Sequence, residues 1–331
     1  MKKFLRCWMV GLCLLTLPGL ALAADAPLPF VQSMQNATSD WRGQLSELHD
    51  TADETAAKLV AGGNVYVAST QLSFQQEVLG RAGGLMLTKW LNPNAVLTPQ
   101  DTVIAAMDSN SDPTALDAVM TQAKAGGAKV LLFAGPSRGK VSSGEDVQVL
   151  PSRTFDNLPY AKSAGEESIS NVIGVWTWTA ELVASSVHRG HMPTAFTSNF
   201  MPGAIERNAQ FRKSTFHTTT DVTPASVKQL GARYLDALSS ALVAMNQSQV
   251  ASFTRGAKMI RDTEASGHHV DVEYLGHMLP YELQGPGRPD WQIAPKDRID
   301  ATIPDGLNKG DVVLFLQYQP FPWDFTTGLE A

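Results

Sequence analysis

Cysteine is nearly absent from this 331-residue chain: the two present, Cys7 and Cys13, both lie close to its start. The rest of the protein therefore forms no disulfide and holds no thiolate-bound metal. Basic charge is also short. With 26 Lys and Arg against 32 Asp and Glu the formal charge is −6, which argues against a general nucleic-acid or anionic-membrane surface and leaves room only for a local basic pocket. Past the first residues no apolar run approaches the ~20 that a membrane span needs. Spaced histidine ligands are missing as well: His268 and His269 are adjacent, and neighbours in an extended segment point opposite ways. Without an H-x-x-x-H or similar pattern no metal is expected, and no cofactor is called for.

What is present begins with an export signal. Lys2, Lys3 and Arg6 precede an uncharged, leucine-rich run that ends in Pro18, Gly19 and the small-residue site Ala21-Leu22-Ala23. This is the pattern of a secretory signal peptide over residues 1–23, with cleavage after Ala23 and a periplasmic or secreted destination. Losing three of the 26 basic residues leaves 23 against 32 acids, a mature charge of −9. About 300 residues remain, enough for roughly two domains that stand on their own cores.

Hydrophobic periodicity then alternates helix and strand. Residues 44–60 repeat apolar side chains at helical spacing and stop at Gly62-Gly63; NVYVAST (64–70) is short, β-branched and apolar. Helices over 73–90 and from Pro113 to Gly126, strands over 101–107, 129–135 and 147–151, and a long helix over 168–189 complete a first series. After Pro224 come one helix through Val227, Leu230, Tyr234, Leu238 and Leu242, a second over 253–264, then strands over 270–276 and 311–318. The expected fold is a three-layer α/β/α arrangement with a mostly parallel sheet. Gly63 with Gly267, Glu77 with Glu282 and Asp101 with Asp311 recur in the same order, each pair roughly 200 residues apart. The division expected is a first α/β domain over 24–196, a linker over 197–224 and a second, partial copy over 225–331.

GGNVYVAST followed by the helix carrying FQQEVLGRAGGL, then successive parallel strands, resembles the sugar isomerase (SIS) domain family. That resemblance implies tandem SIS-like units that bind a sugar or phosphosugar-like small molecule at the carboxyl ends of the strands, with isomerase or deaminase activity open. It also implies pairing of domains into a homo-oligomer or noncatalytic assembly as an open reading. The family places Ser and Thr of the loop after the first strand on the phosphate, and Ser69, Thr70 and Ser73 occupy that loop. Here Ala68-Ser69-Thr70-Gln71 stands where the family carries a Gly-Ser-Ser type turn, and the second copy has only two recognisable strands. A two-lobed periplasmic solute-binding protein is the competing reading; its lobes would exchange strands through several crossings.

Independently of the family, helix amino termini and loop N–H groups at strand carboxyl ends attract anions. Ser69, Thr70 and Ser73 are candidates there, with Ser109 and Asn110 after the second strand and Ser137 and Arg138 after the third; capping and turn-shaping are the alternative roles, Ser73 with Gln76 forming a capping box. Glu77 is either a surface partner of Arg81 or a general base. His277 and Glu282, after the first strand of the second copy, form a candidate acid–base pair. Residues 197–217 read as a polar, locally basic loop, and at least one of Trp176 and Trp178 belongs to the core.

Overall fold

The computed structural model describes residues 28–109, 111–135, 147–153, 164–199, 201–219, 221–275, 292–293 and 307–317. Helices α1 (Pro29–Gly43) and α2 (Leu45–Val60) lead into β1 (Val65–Val67), α3 (Leu72–Val78), β2 (Thr88–Trp90), β3 (Thr102–Met107), α4 (Asp117–Gly126), β4 (Lys129–Ala134) and β5 (Val147–Pro151). The five strands form one sheet in the order β2-β1-β3-β4-β5, every pair parallel. Side chains alternate between its faces. Ile104, Ala106, Leu131 and Phe133 join one core with residues of α1, α2 and α5 (Ala164–His188), while Val103, Ala105, Val130 and Leu132 join another with Leu116 and Ala123 beside α4. Because both faces are covered, β3 and β4 are continuous apolar runs, and the three-layer α/β/α architecture expected from the sequence is the one found.

α5 is the central helix. The Trp41 indole lies against it, donating from Nε1 to the Ser170 carbonyl at 2.7 Å, and Gly174 makes room for the ring. Trp178 is fully buried on the same helix, as one of the two indoles there had to be. Glu181, also buried, accepts from the Lys228 and Gly231 amides at 3.0 and 2.7 Å and from His49 Nδ1 at 2.8 Å. Its carboxylate thus caps the amino end of α7 (Gln229–Ala265), where the helix dipole favours negative charge.

Several boundaries differ from the expectation. The helix read over 73–90 is only α3; the GRAGG segment at 80–84 interrupts it, and 88–90 is the edge strand β2. The two helices read after Pro224 are one, because the polar Asn246–Gln249 stretch between them carries no breaker; Asn246 accepts from the Leu28 amide at 3.0 Å and the next three residues face solvent. The loop-like segment 197–217 contains α6 (Ala204–Phe211), and α1 precedes the first helix recognised in the sequence.

A second sheet, β7-β6-β8, is also parallel: β6 (Val270–Leu275) lies between β7 (Gln292–Ile293) and β8 (Val312–Gln317), one strand more than was legible. Its entry repeats that of the first. After α2, the Gly62 and Gly63 amides donate to the Leu59 and Lys58 carbonyls at 3.0 and 2.9 Å; after α7, Gly267 and His268 donate to Glu264 and Thr263 at 3.0 and 3.1 Å. Gly62 and Gly267 both take the left-handed backbone, φ 92° and 76°, that such helix stops require. Asp101 then accepts from the Asn64 and Thr98 amides at 2.9 and 2.8 Å, and Asp311 from the His269 and Asn308 amides at 2.9 and 2.7 Å. In each case the strand after the aspartate donates back: Thr102 to the Asn64 carbonyl at 2.9 Å, Val312 to that of His269 at 3.0 Å. Burial opposes the charge of Asp101, yet its donors outweigh that and hold the carboxyl below the usual aspartate range; the His269 and Asn308 amides lower that of Asp311.

Candidate functional site

The carboxyl ends of β1 and β3 meet the first turns of α5, and four of the predicted residues gather there. After β1 the chain turns through Ser69, whose hydroxyl donates to the Ala106 carbonyl at 2.7 Å and accepts from the Gln71 amide at 3.0 Å. The Thr70 hydroxyl shares a proton with that of Ser111 at 2.7 Å and reaches the Ala106 carbonyl at 3.3 Å. Ser73 is not a cap: Gln71 precedes α3, and the buried Ser73 hydroxyl pairs with that of Ser168 on α5. Ser109, after β3, donates its backbone N–H to the Glu167 carboxylate. Ser111 donates to Asp108 Oδ1 at 2.8 Å. The hydroxyls expected to cradle a ligand are thus largely engaged in shaping their own loops.

Three residues that sequence reasoning missed define the edge more sharply. Asn171, fully buried, donates from Nδ2 both to the Met107 carbonyl and to Gln71 Oε1, each at 3.0 Å. The carbonyl fixes which way the Asn171 amide faces, and the Asn171 donor then fixes Gln71. What remains is an acceptor, Asn171 Oδ1, and a donor, Gln71 Nε2, both buried and without a hydrogen-bond partner. Glu166, in the first turn of α5, has a buried Oε2 in the same condition. Gln71 and Asn171 are bonded to each other, and two unpaired buried polar atoms on one such pair call for a partner, a ligand or an ordered water. One signal was available: Glu166, Glu167, Ser168, Ser170 and Asn171 crowd the start of a helix whose later turns are strongly apolar.

Glu77 stands apart from these groups. It is buried, paired with Arg81 Nε at 2.9 Å, and its neighbours Trp176 and Tyr234 belong to α5 and α7. Burial pushes its carboxyl up, against the opposing pull of Arg81 and a hydrogen bond from Trp176; burial and the Glu77 charge together push the Tyr234 hydroxyl up. Its pairing with Arg81 is real, with Glu77 buried and Arg81 reaching in from a partly exposed position. Asn110, Ser137, Arg138, His277 and Glu282 lie outside the described residues. Among the described residues, no three His, Cys, Asp or Glu side chains converge as a metal site and no helix is long and apolar enough to cross a membrane. A groove lined by Arg255, Lys258, Met259, Asp262 and His268 lies where α7 turns into β6. In the 197–217 segment, Arg207 donates to the Ala195 carbonyl at 2.9 Å and covers the Phe211 ring, a structural role.

No family model matches the chain, and no curated protein matches its sequence. Solved structures similar to it include the carboxyl-terminal domain of glucosamine-fructose-6-phosphate aminotransferase from Francisella tularensis, over 46% of this chain and 42% of that one, at 9% identity and a TM-score of 0.31. A candidate phosphosugar isomerase from Clostridium difficile 630 is similar over 74% of this chain and 60% of its own, at 9% identity and a TM-score of 0.39. A hypothetical protein is similar over 46% of this chain and 89% of its own, at 15% identity and a TM-score of 0.29. The matches thus span less than two thirds of the length of the first two structures.

Proposed function

We propose that this chain is an exported, SIS-like protein that binds a sugar derivative where β1 and β3 meet the start of α5. The observation that carries the reading is the Gln71–Asn171 pair: a buried donor and a buried acceptor, held in fixed orientation at the ligand edge of a parallel sheet and left without partners. An alcohol group suits either, since it donates one proton and accepts through its lone pairs. The Thr70–Ser111 and Ser73–Ser168 hydroxyl pairs add polar lining that suits a polyhydroxylated molecule.

Binding is better supported than turnover. Isomerisation or deamination needs a base to move a proton; of the three expected from the sequence, Glu77 is tied to Arg81 among aromatic side chains, and His277 and Glu282 lie outside the described residues. The repeated helix stop, aspartate clasp and strand order support a second SIS-like unit built on β6, β7 and β8. The chain passes from one described sheet to the other once, through α7, which favours consecutive units over the strand-exchanging lobes of a solute-binding protein. The charge pattern of residues 1–23 supports export, which intact-mass measurement checks: Ala24 as first residue is expected, and a retained Met1 would contradict it.

Thermal-shift screening of the mature protein against free and phosphorylated sugars tests the binding function. A ligand at 100 times its dissociation constant adds about 2.7 kcal/mol of stability, and Gln71→Ala should abolish that shift. A shift of equal size in the variant would place the ligand elsewhere.

A further inference from the structure

We infer that the sugar taken at this edge is unphosphorylated, because the chain's own Glu167 fills the position that a ligand phosphate would occupy. The inference rests on the strand-end site proposed above. In a parallel sheet an anion is held by backbone N–H groups in the loops after the strands. At the end of β3 the Ser109 N–H is given to Glu167, a carboxylate only 3% exposed. At the end of β1 the Ser69 proton is given to the Ala106 carbonyl, and the Gln71 N–H is given to Ser69. An incoming phosphate would have to displace these bonds or sit beside Glu167, where like charge opposes it.

The unpartnered atoms select in the same direction. At neutral pH a phosphate is at least singly charged and presents mainly acceptors, so it offers little to Asn171 Oδ1 or to Glu166 Oε2, both of which need a donor. Sugar hydroxyls supply donors to both and an acceptor to Gln71 Nε2.

The test is calorimetric titration of the whole mature protein with D-glucose, D-galactose and D-mannose and with the 6-phosphate of each. At least one free sugar should bind, and its 6-phosphate should bind at least tenfold more weakly. Glu167→Gln keeps an acceptor for Ser109 and removes the charge. It should raise the affinity for the 6-phosphate about tenfold and leave the parent sugar within about twofold. Should that variant not fold, Asp108→Asn removes a charge beside Ser109 while keeping an acceptor for Ser111, and should narrow the same gap. A wild-type protein that binds a 6-phosphate more tightly than its parent, or a gap unchanged in the folded variants, overturns this inference and leaves the strand-end site standing. If none of the six compounds binds, the sugar site itself falls.

Discussion

Replacing Gly174 by alanine adds one carbon to the helix that carries the site. A Cβ there would stand 2.7 Å from both Cε2 and Cη2 of Trp41, whereas carbon atoms rest about 3.5–4.0 Å apart. The indole would have to withdraw by roughly 1 Å, yet it is fully buried, packs against Phe133 and is held by its bond to the Ser170 carbonyl. Overpacking of this kind costs about 1–3 kcal/mol, and weakening the indole hydrogen bond adds about 1. Better helix propensity returns at most about 1 kcal/mol, so Gly174→Ala should destabilise the protein by about 1–3 kcal/mol. Gly256 supplies the control. It lies within α7 with nothing within 4 Å of the same added atom, so Gly256→Ala gains the propensity without the clash and should stabilise by about 0.5–1 kcal/mol. Urea unfolding followed by tryptophan fluorescence measures both. Shifts of the same sign would refute the packing argument, because propensity alone predicts two stabilised variants.

Asp101→Asn should cost about 1.5–3 kcal/mol at neutral pH, since Asp101 is buried and accepts charge-assisted bonds. Its folded pKa lies below the ordinary aspartate value, so this stabilisation is present above that value and fades as pH falls through the lowered one; unfolding measured between pH 3 and 7 should lose that slope in the variant. Glu77 has the opposite sign: its folded pKa is raised, so its contribution is present below the ordinary glutamate value and lost as pH rises through the raised one. Glu77→Gln should therefore remove a fall in stability on leaving acid pH. Ser69→Ala removes an acceptor for Gln71 and a donor to Ala106, and should lower stability by about 1–2 kcal/mol in the same assay.

The strands that were legible in the sequence are those buried on both faces. β3 and β4 read as unbroken apolar runs because α4 and α5 cover them. β2 escaped because it is an edge strand whose Lys89 and Trp90 face solvent, so its burial pattern is that of a loop. α7 read as two helices because its exposed half lacks the apolar stripe that marks a packed one. At the candidate site, strand-end logic located Ser69, Thr70, Ser73 and Ser109 at the carboxyl ends of β1 and β3, since that logic depends only on local order. Gln71, Asn171 and Glu167 matter through contacts between residues 58 to 100 positions apart, and no local pattern reports which polar side chain of a distant helix will face a strand end.

The central claim, that Gln71 and Asn171 form the sugar-reading pair, is tested most directly by their side-chain amide resonances in the isotopically labelled protein. On titration with a sugar that binds in calorimetry, the Gln71 Nε2 protons should shift and saturate with the same dissociation constant. The Asn171 Nδ2 protons, already held by the Met107 carbonyl, should move less. A bound sugar that leaves both unchanged while shifting residues of the Arg255–His268 groove would contradict the account.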